Sequence, residues 1–299
     1  MRRSAILAAA AAAAVVLSGA AACGGTGGAA PGPSQPSATD TSQGASSVTT
    51  YVALGDSYSA APGNPTTSSA GGCLRSDHDY PHLLADRLGI PTLVDVTCSG
   101  AQTKDFAGRQ QPYDASGTVA PQLDAVTSST DLVTVSIGGN DLNLIGLLYE
   151  CGTMAQGGSG GSPCSDKYAK DVDGAVPEVR QRVVAAVAAV RAKAPDATIV
   201  VVGYPQPFPT SGSCAALPLA AGDYAFAASI MDRLNAMLAD AAKAASATYV
   251  DVSAASRGHD ICAAVPWING AEATDDAQPL HPFPREQAAV AALVAKALG

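Results

Sequence analysis

Aromatic side chains are scarce in this chain. Phe, Trp and Tyr make up 5% of its 299 residues, and there is one tryptophan. Basic residues are also few, 17 against 26 acidic ones, for a formal charge of −9, and they form no cluster. Such a chain lacks the cationic footprint that a phosphate backbone requires, so nucleic acid is excluded as a partner. No two cysteines stand at C-x2-C spacing and no histidine falls among them as a ligand would, so a zinc site is not expected. His78 and His82 are four apart, but Pro81 lies between them, which argues against a metal pair on one helical turn. With His259 they read as solvated or locally bonded. No internal repeat is visible. Nothing in the composition implies a metal or an organic cofactor.

The long apolar run of a membrane-spanning helix is missing as well. The alanine-rich stretch from Ile6 to Leu17 falls short of the roughly 20 residues a span needs. It follows Arg2 and Arg3 and leads into Leu17-Ser18-Gly19-Ala20-Ala21-Ala22-Cys23. Residues 1–22 therefore read as an export signal. Small residues directly before a cysteine resemble a bacterial lipoprotein signal, with Cys23 as the lipidated residue and membrane anchor. Simple cleavage after an Ala-x-Ala site is the other reading. Residues 23–48 are mostly Gly, Ala, Pro, Ser, Thr and Gln, a composition that cannot offset its ordering entropy and reads as a disordered tether. A tether of that length spans roughly 25–30 Å on average.

What remains, residues 49–299, is long enough for one substantial core. Six cysteines lie in it, an even number that reads as disulfides in an exported chain. Of 15 possible pairings, the sequential one is favoured: Cys73–Cys98, Cys151–Cys164 and Cys214–Cys262. Cys151–Cys164 is the firmest, since it closes the glycine-rich stretch Gly157–Gly161, which cannot hold itself together.

Strand and helix signals alternate. Thr49–Leu54, Pro91–Thr97, Asp131–Ile137, Ala197–Gly203 and Ala247–Val252 read as strands; Pro81–Leu88, Val176–Lys193, Tyr224–Ala245 and Arg285–Leu298 read as helices. Pro177 suits the first turn of the second helix. Continuous apolar runs fit strands covered on both faces, and alternation implies crossovers. The expected fold is an α/β three-layer sandwich with a mainly parallel sheet of about five strands, flavodoxin-like in type.

Three loop motifs follow the first three strands: Gly55-Asp56-Ser57, then Cys98-Ser99-Gly100-Ala101, then Gly138-Gly139-Asn140-Asp141. His281 precedes the last helix. In an open parallel sheet these loops emerge at one edge and can converge. A serine hydroxyl becomes a nucleophile when a base removes its proton, and neutral imidazole suits that near pH 7. Asp56 reads as a turn former and Asp141 as a cap for the next segment.

Taken together, Gly-Asp-Ser, the glycine after the second strand, Gly-Gly-Asn-Asp and a late His-Pro resemble the GDSL or SGNH hydrolase family over roughly residues 49–299. The cysteine count and Tyr204-Pro205 are similar to actinobacterial secreted esterases of that family. The resemblance implies an esterase or lipase working through an acyl-Ser57, with His281 as base. It implies an oxyanion hole made by the backbone N–H groups of Ser57 and Gly100 and the amide of Asn140. The family's usual aspartate three residues before the histidine is absent; that position is Gln278. The backbone carbonyl of Gln278 is the expected orienting group for His281, with Asp276 or Asp275 as alternatives. Acyl transfer or polysaccharide deacetylation would use the same machinery, and a silent lipid- or glycan-binding surface lipoprotein is the reading from another class. The chain is expected to be a monomer acting on an ester substrate. Acyl length would be set by the loops at 60–79, 102–122 and 142–172.

Overall fold

The computed structural model describes residues 48–112, 117–156 and 160–299. The export signal, Cys23 and almost all of the expected tether lie outside these residues, as do Gly157, Gly158 and Ser159 of the glycine-rich stretch. In chain order the elements are β1 (Thr50–Gly55), α1 (Ser57–Ala60), β2 (Thr67–Ser68), β3 (Arg75–Ser76), α2 (Tyr80–Leu88), β4 (Thr92–Asp95), β5 (Leu132–Ser136), α3 (Leu144–Gln156), α4 (Pro163–Lys193), β6 (Thr198–Val202), α5 (Tyr224–Ala244), β7 (Thr248–Val250), α6 (Val252–Ala255) and α7 (Pro284–Leu298).

Five strands form one sheet in the order β4-β1-β5-β6-β7, and every pairing is parallel. Side chains alternate faces along a strand, and the two faces have separate cores. Val52, Leu54, Val133, Val135, Ile199 and Val201 point to the face covered by α4 and α5, where Val183, Val187, Leu234 and Leu238 pack on them. Tyr51, Ala53, Leu132, Val200 and Val202 point to the other, where Leu84 of α2 and Val290 and Val294 of α7 cover them. This explains the unbroken apolar runs in the sequence, and it is a three-layer α/β sandwich. The order of the sheet reverses at β1: the chain steps outward to β4 and then back past β1 to β5. In open α/β sheets such a switch point opens a crevice at the carboxyl ends of the strands.

The cysteines pair sequentially, as Cys73–Cys98, Cys151–Cys164 and Cys214–Cys262. Two of the longer helices depart from the sequence reading. Residues 144–156, expected within a loop, form helix α3. Helix α4 begins at Pro163 rather than Val176, so Pro177 lies inside it and not in its first turn. The extra turns carry little apolar periodicity. Their start is held instead by Asp223, distant in sequence, whose carboxylate accepts from the N–H groups of Cys164 (3.1 Å) and Ser165 (2.9 Å).

Candidate active site

Strand β1 ends at Gly55, and the chain turns sharply into α1. A side chain at Gly55 would place its Cβ 2.8 Å from the carbonyl oxygen of Ser136 and 2.5 Å from Ser59 Oγ, closer than any real contact. Glycine is therefore required where β1 and β5 lie side by side. Asp56 then caps α1, accepting from the Tyr58 N–H at 3.0 Å. Its other oxygen accepts a short hydrogen bond from the Tyr204 hydroxyl. Burial pushes the Asp56 carboxyl up to about 7, against the pull of those two donors. Asp56 makes no hydrogen bond to Ser57 or His281 among the described residues, so its place is in the turn. Ser57 is the first residue of α1. Its N–H is one of the helix's leading donors with no partner inside the helix.

His281 Nε2 stands 2.8 Å from Ser57 Oγ. At the other side of the ring, Nδ1 is 2.7 Å from the carbonyl oxygen of Pro279. The expected carbonyl of Gln278 is not the one used. The backbone N–H of His281 turns back onto Gln278 O at 3.2 Å, and the Asn269 amide donates to the same oxygen at 3.2 Å. With Gln278 O turned into the backbone, the next carbonyl, that of Pro279, lies at the ring. Asp275 and Asp276 are exposed and bond to no part of His281. A carbonyl acceptor fixes the tautomer with the proton on Nδ1, leaving Nε2 as the unprotonated nitrogen facing the serine.

The loop that carries His281 is anchored by residues the sequence reading passed over. Asn64 donates to Asp276 O (2.9 Å) and Pro282 O (2.7 Å). Asn269 donates to Ala277 O at 3.0 Å. The Tyr58 hydroxyl donates to Leu280 O at 2.8 Å, and its ring packs beside both Tyr204 and His281. Leu280, buried, holds a left-handed backbone with φ 60°. A non-glycine residue keeps that conformation only when its surroundings impose it. The signals for these anchors were thin: an asparagine has many uses, and their partners lie up to 222 residues away.

The other two loops arrive from β4 and β5. Gly100 has φ +79°, a conformation natural to glycine, and its N–H meets no acceptor among the described residues. Asn140 Nδ2 donates to Ala101 O at 2.9 Å, which orients the amide and leaves one N–H unused. Asp141 does not cap the following helix. It accepts from the N–H (2.9 Å) and hydroxyl (2.6 Å) of Thr103 and so ties the Asn140 loop to the Gly100 loop. Gln102 adds a bond to Asn140 O at 2.9 Å.

Ser57, Gly100, Asn140 and His281 all line one cavity of about 410 Å³, with Leu74, Ile145 and Tyr149 as its apolar wall. The half-buried His281 imidazole is held below its ordinary pKa by burial, partly countered by the Pro279 carbonyl. It is therefore neutral near pH 7. His78 and His82 sit on neighbouring aspartates and His259 on the Val265 carbonyl, all remote from this cavity's lining.

A serine and a neutral histidine in hydrogen-bond contact at the switch point of a parallel sheet, beside a loop glycine and a loop asparagine, define a serine hydrolase of the SGNH type. The chain belongs to the GDSL-like Lipase/Acylhydrolase family, whose profile matches residues 53–287. It is 43% identical to Lipase 2 of Streptomyces coelicolor over 78% of this chain and 80% of that protein. Among solved structures, it resembles phospholipase A1 from Streptomyces albidoflavus NA297, with TM-score 0.68 and 30% identity over 83% of this chain and 98% of that one. An extracellular lipase from Streptomyces rimosus aligns equally well, with TM-score 0.68 and 31% identity over 81% and 97% of the two chains. The protein is an ester-hydrolysing enzyme of this family.

Proposed function

We propose that Ser57 is the nucleophile and His281 its general base in a two-step acyl-ester hydrolysis. The 2.8 Å contact between Nε2 and Oγ carries this reading. His281 takes the hydroxyl proton as Oγ adds to the ester carbonyl. The oxyanion accepts from the N–H groups of Ser57 and Gly100 and the amide of Asn140. His281 then protonates the departing alcohol, and a water repeats the sequence on acyl-Ser57. The Pro279 carbonyl keeps the ring in register but stabilises imidazolium less than a carboxylate would. The apolar cavity wall suits a carboxylic acyl chain.

The test is labelling by a fluorophosphonate. Intact protein acquires one adduct, mapped to Ser57, and Ser57→Ala acquires none. The labelling rate follows the neutral fraction of His281, so it falls with decreasing pH about a midpoint below the ordinary histidine value of 6.5. A midpoint above 6.5 would mean that a carboxylate, not a carbonyl, faces Nδ1. An adduct on another serine would sink the assignment.

We place the enzyme outside the cytoplasm, held at the membrane by lipidated Cys23. The signal-like residues 1–22 and three disulfides support export. Cells fed labelled palmitate should incorporate it into the wild-type chain and not into Cys23→Ala; an unlabelled wild-type chain would leave a cleaved, secreted enzyme.

A further inference from the structure

Asp79, His82 and Asp95 come together where α2 starts and the edge strand β4 ends. One carboxylate oxygen from each aspartate and one ring nitrogen of the histidine lie within 4.8 Å of one another. None of the three residues lines the cavity that holds Ser57 and His281. Each carboxylate has one oxygen anchored and one without a partner. Asp79 Oδ1 caps α2, accepting from the His82 N–H at 3.0 Å. Asp95 Oδ1 accepts from the N–H (2.9 Å) and hydroxyl (2.7 Å) of Thr97. Asp79 Oδ2 and Asp95 Oδ2 meet no donor among the described residues, although Asp79 is wholly buried and the Asp95 side chain is 4% exposed. Buried polar atoms are normally satisfied, and leaving them unmet costs free energy. His82 Nδ1 stands between the two carboxylates, 2.7 Å from Asp79 Oδ1 and 3.7 Å from Asp95 Oδ2. Burial and the neighbouring Asp95 push the Asp79 carboxyl well above the ordinary carboxylate range. Among the described residues, Arg75 is the one Lys or Arg paired with either aspartate, with Nε 3.4 Å from Asp95 Oδ1. Its Nε and Nη2 both donate to Thr97 O, on the anchored side of Asp95. One buried negative charge is therefore left without a fixed cation.

We propose that Asp79, His82 and Asp95 bind a divalent transition-metal ion of the zinc class, through Asp79 Oδ2, His82 Nδ1 and Asp95 Oδ2. An imidazole ligand suits zinc better than calcium or magnesium, which prefer oxygen throughout. The two free oxygens are shut off from water, and this fits a bare ion held in the place of a proton. Zinc stands about 2.0–2.2 Å from nitrogen and oxygen ligands, so ligand atoms around a tetrahedral ion lie about 3.4 Å apart. The 3.7 Å between His82 Nδ1 and Asp95 Oδ2 is close to that spacing. The ion enters on the side of His82, whose side chain is 36% exposed, and the fourth position there takes water. The ring binds with its proton moved to Nε2, and Asp79 Oδ1 keeps the His82 N–H. Thr97 and that N–H then play the outer role seen around metal sites, holding each carboxylate by the oxygen the metal does not use. The ion ties the start of α2 to the end of β4, three residues before Cys98 and five before Gly100. It is a structural clip. Ser57 and His281 work without it.

The test is zinc titration of chelator-treated protein, followed by calorimetry and by thermal unfolding. The wild type should take up one zinc per chain, and zinc at a hundredfold over its Kd should raise Tm by about 5–10 °C. His82→Ala and Asp95→Asn should each weaken binding by at least about tenfold and lose most of the rise in Tm. His78→Ala should keep both, because His78 sits on Asp77, outside the cluster. Asp79 is left unchanged, since its other oxygen caps α2. A readout on the wild type alone guards against a variant that fails to fold: cobalt in place of zinc should give the visible absorption of a four-coordinate site with a nitrogen ligand. Calcium, which takes six to eight oxygens, should give no shift in Tm. A folded wild type that shows neither heat nor a Tm shift with zinc would overturn the proposal, and the two carboxylates would then share a proton. Zinc binding as tight in His82→Ala as in the wild type would overturn it too, by placing the ion elsewhere. So would a larger shift with calcium than with zinc.

Discussion

Ser57→Ala lowers kcat for an activated ester such as p-nitrophenyl octanoate by about 10⁴–10⁶-fold, and His281→Ala does nearly the same. The two losses should not multiply in the double variant, because in the proposed mechanism the two residues act as one unit across a 2.8 Å contact. Gln278→Ala and Asp276→Ala stay within about threefold of wild type, an expectation set by the absence of either side chain from the Nδ1 side of the ring. The carbonyl that faces Nδ1 belongs to Pro279 and survives every side-chain substitution at 278. Steady-state kinetics on the four single variants decide the matter. If Asp276→Ala were as severe as His281→Ala, a carboxylate would be reaching the ring during turnover and the two-residue arrangement would be wrong. The substitutions at 276 and 278 are on exposed side chains, so thermal unfolding should barely move.

The contrast between positions 278 and 279 shows where sequence reasoning stops. Ser57, Gly100, Asn140 and His281 were legible because each follows or precedes a strongly apolar element, and the rules of parallel sheets send those loops to one edge. Which carbonyl meets Nδ1 depends on the register of a tight turn. That register is set by Asn64, Asn269, Tyr58 and the left-handed backbone at Leu280. None of these has a local signature at His281. The fold divides the same way. All five sheet strands were readable from continuous apolar runs, and α2, α5 and α7 from helical spacing. The first half of α4 was not, because residues 163–175 are mostly polar and the cap that secures their start comes from Asp223. Helix α3 escapes sequence reasoning for a related reason. Gly146 and Gly152 weaken its helical signal, and a cysteine within it is bonded into α4. Asp141 reads as a local cap because nothing in the sequence shows that Thr103 comes within 2.6 Å of it.

Asn140→Ala is expected to lower kcat by about 10²–10³-fold with KM nearly unchanged. That is the cost of removing one preorganised donor from an oxyanion that exists only beyond the ground state. The amide has a second duty, since one N–H holds Ala101 O at 2.9 Å. A loss of that tie would loosen the Gly100 loop and disturb binding as well as turnover, so the split between kcat and KM separates the two roles. The Asp141–Thr103 and Gln102–Asn140 bonds still join the loops in the variant, which is why binding should persist. Asn140→Asp is the sharper probe. It keeps the shape but offers an acceptor toward both Ala101 O and the oxyanion, and it should be at least as damaging as alanine. If Asn140→Ala instead kept kcat within about threefold while raising KM, the asparagine would be a strut between two loops, and the oxyanion would rest on the backbone N–H groups of Ser57 and Gly100 alone.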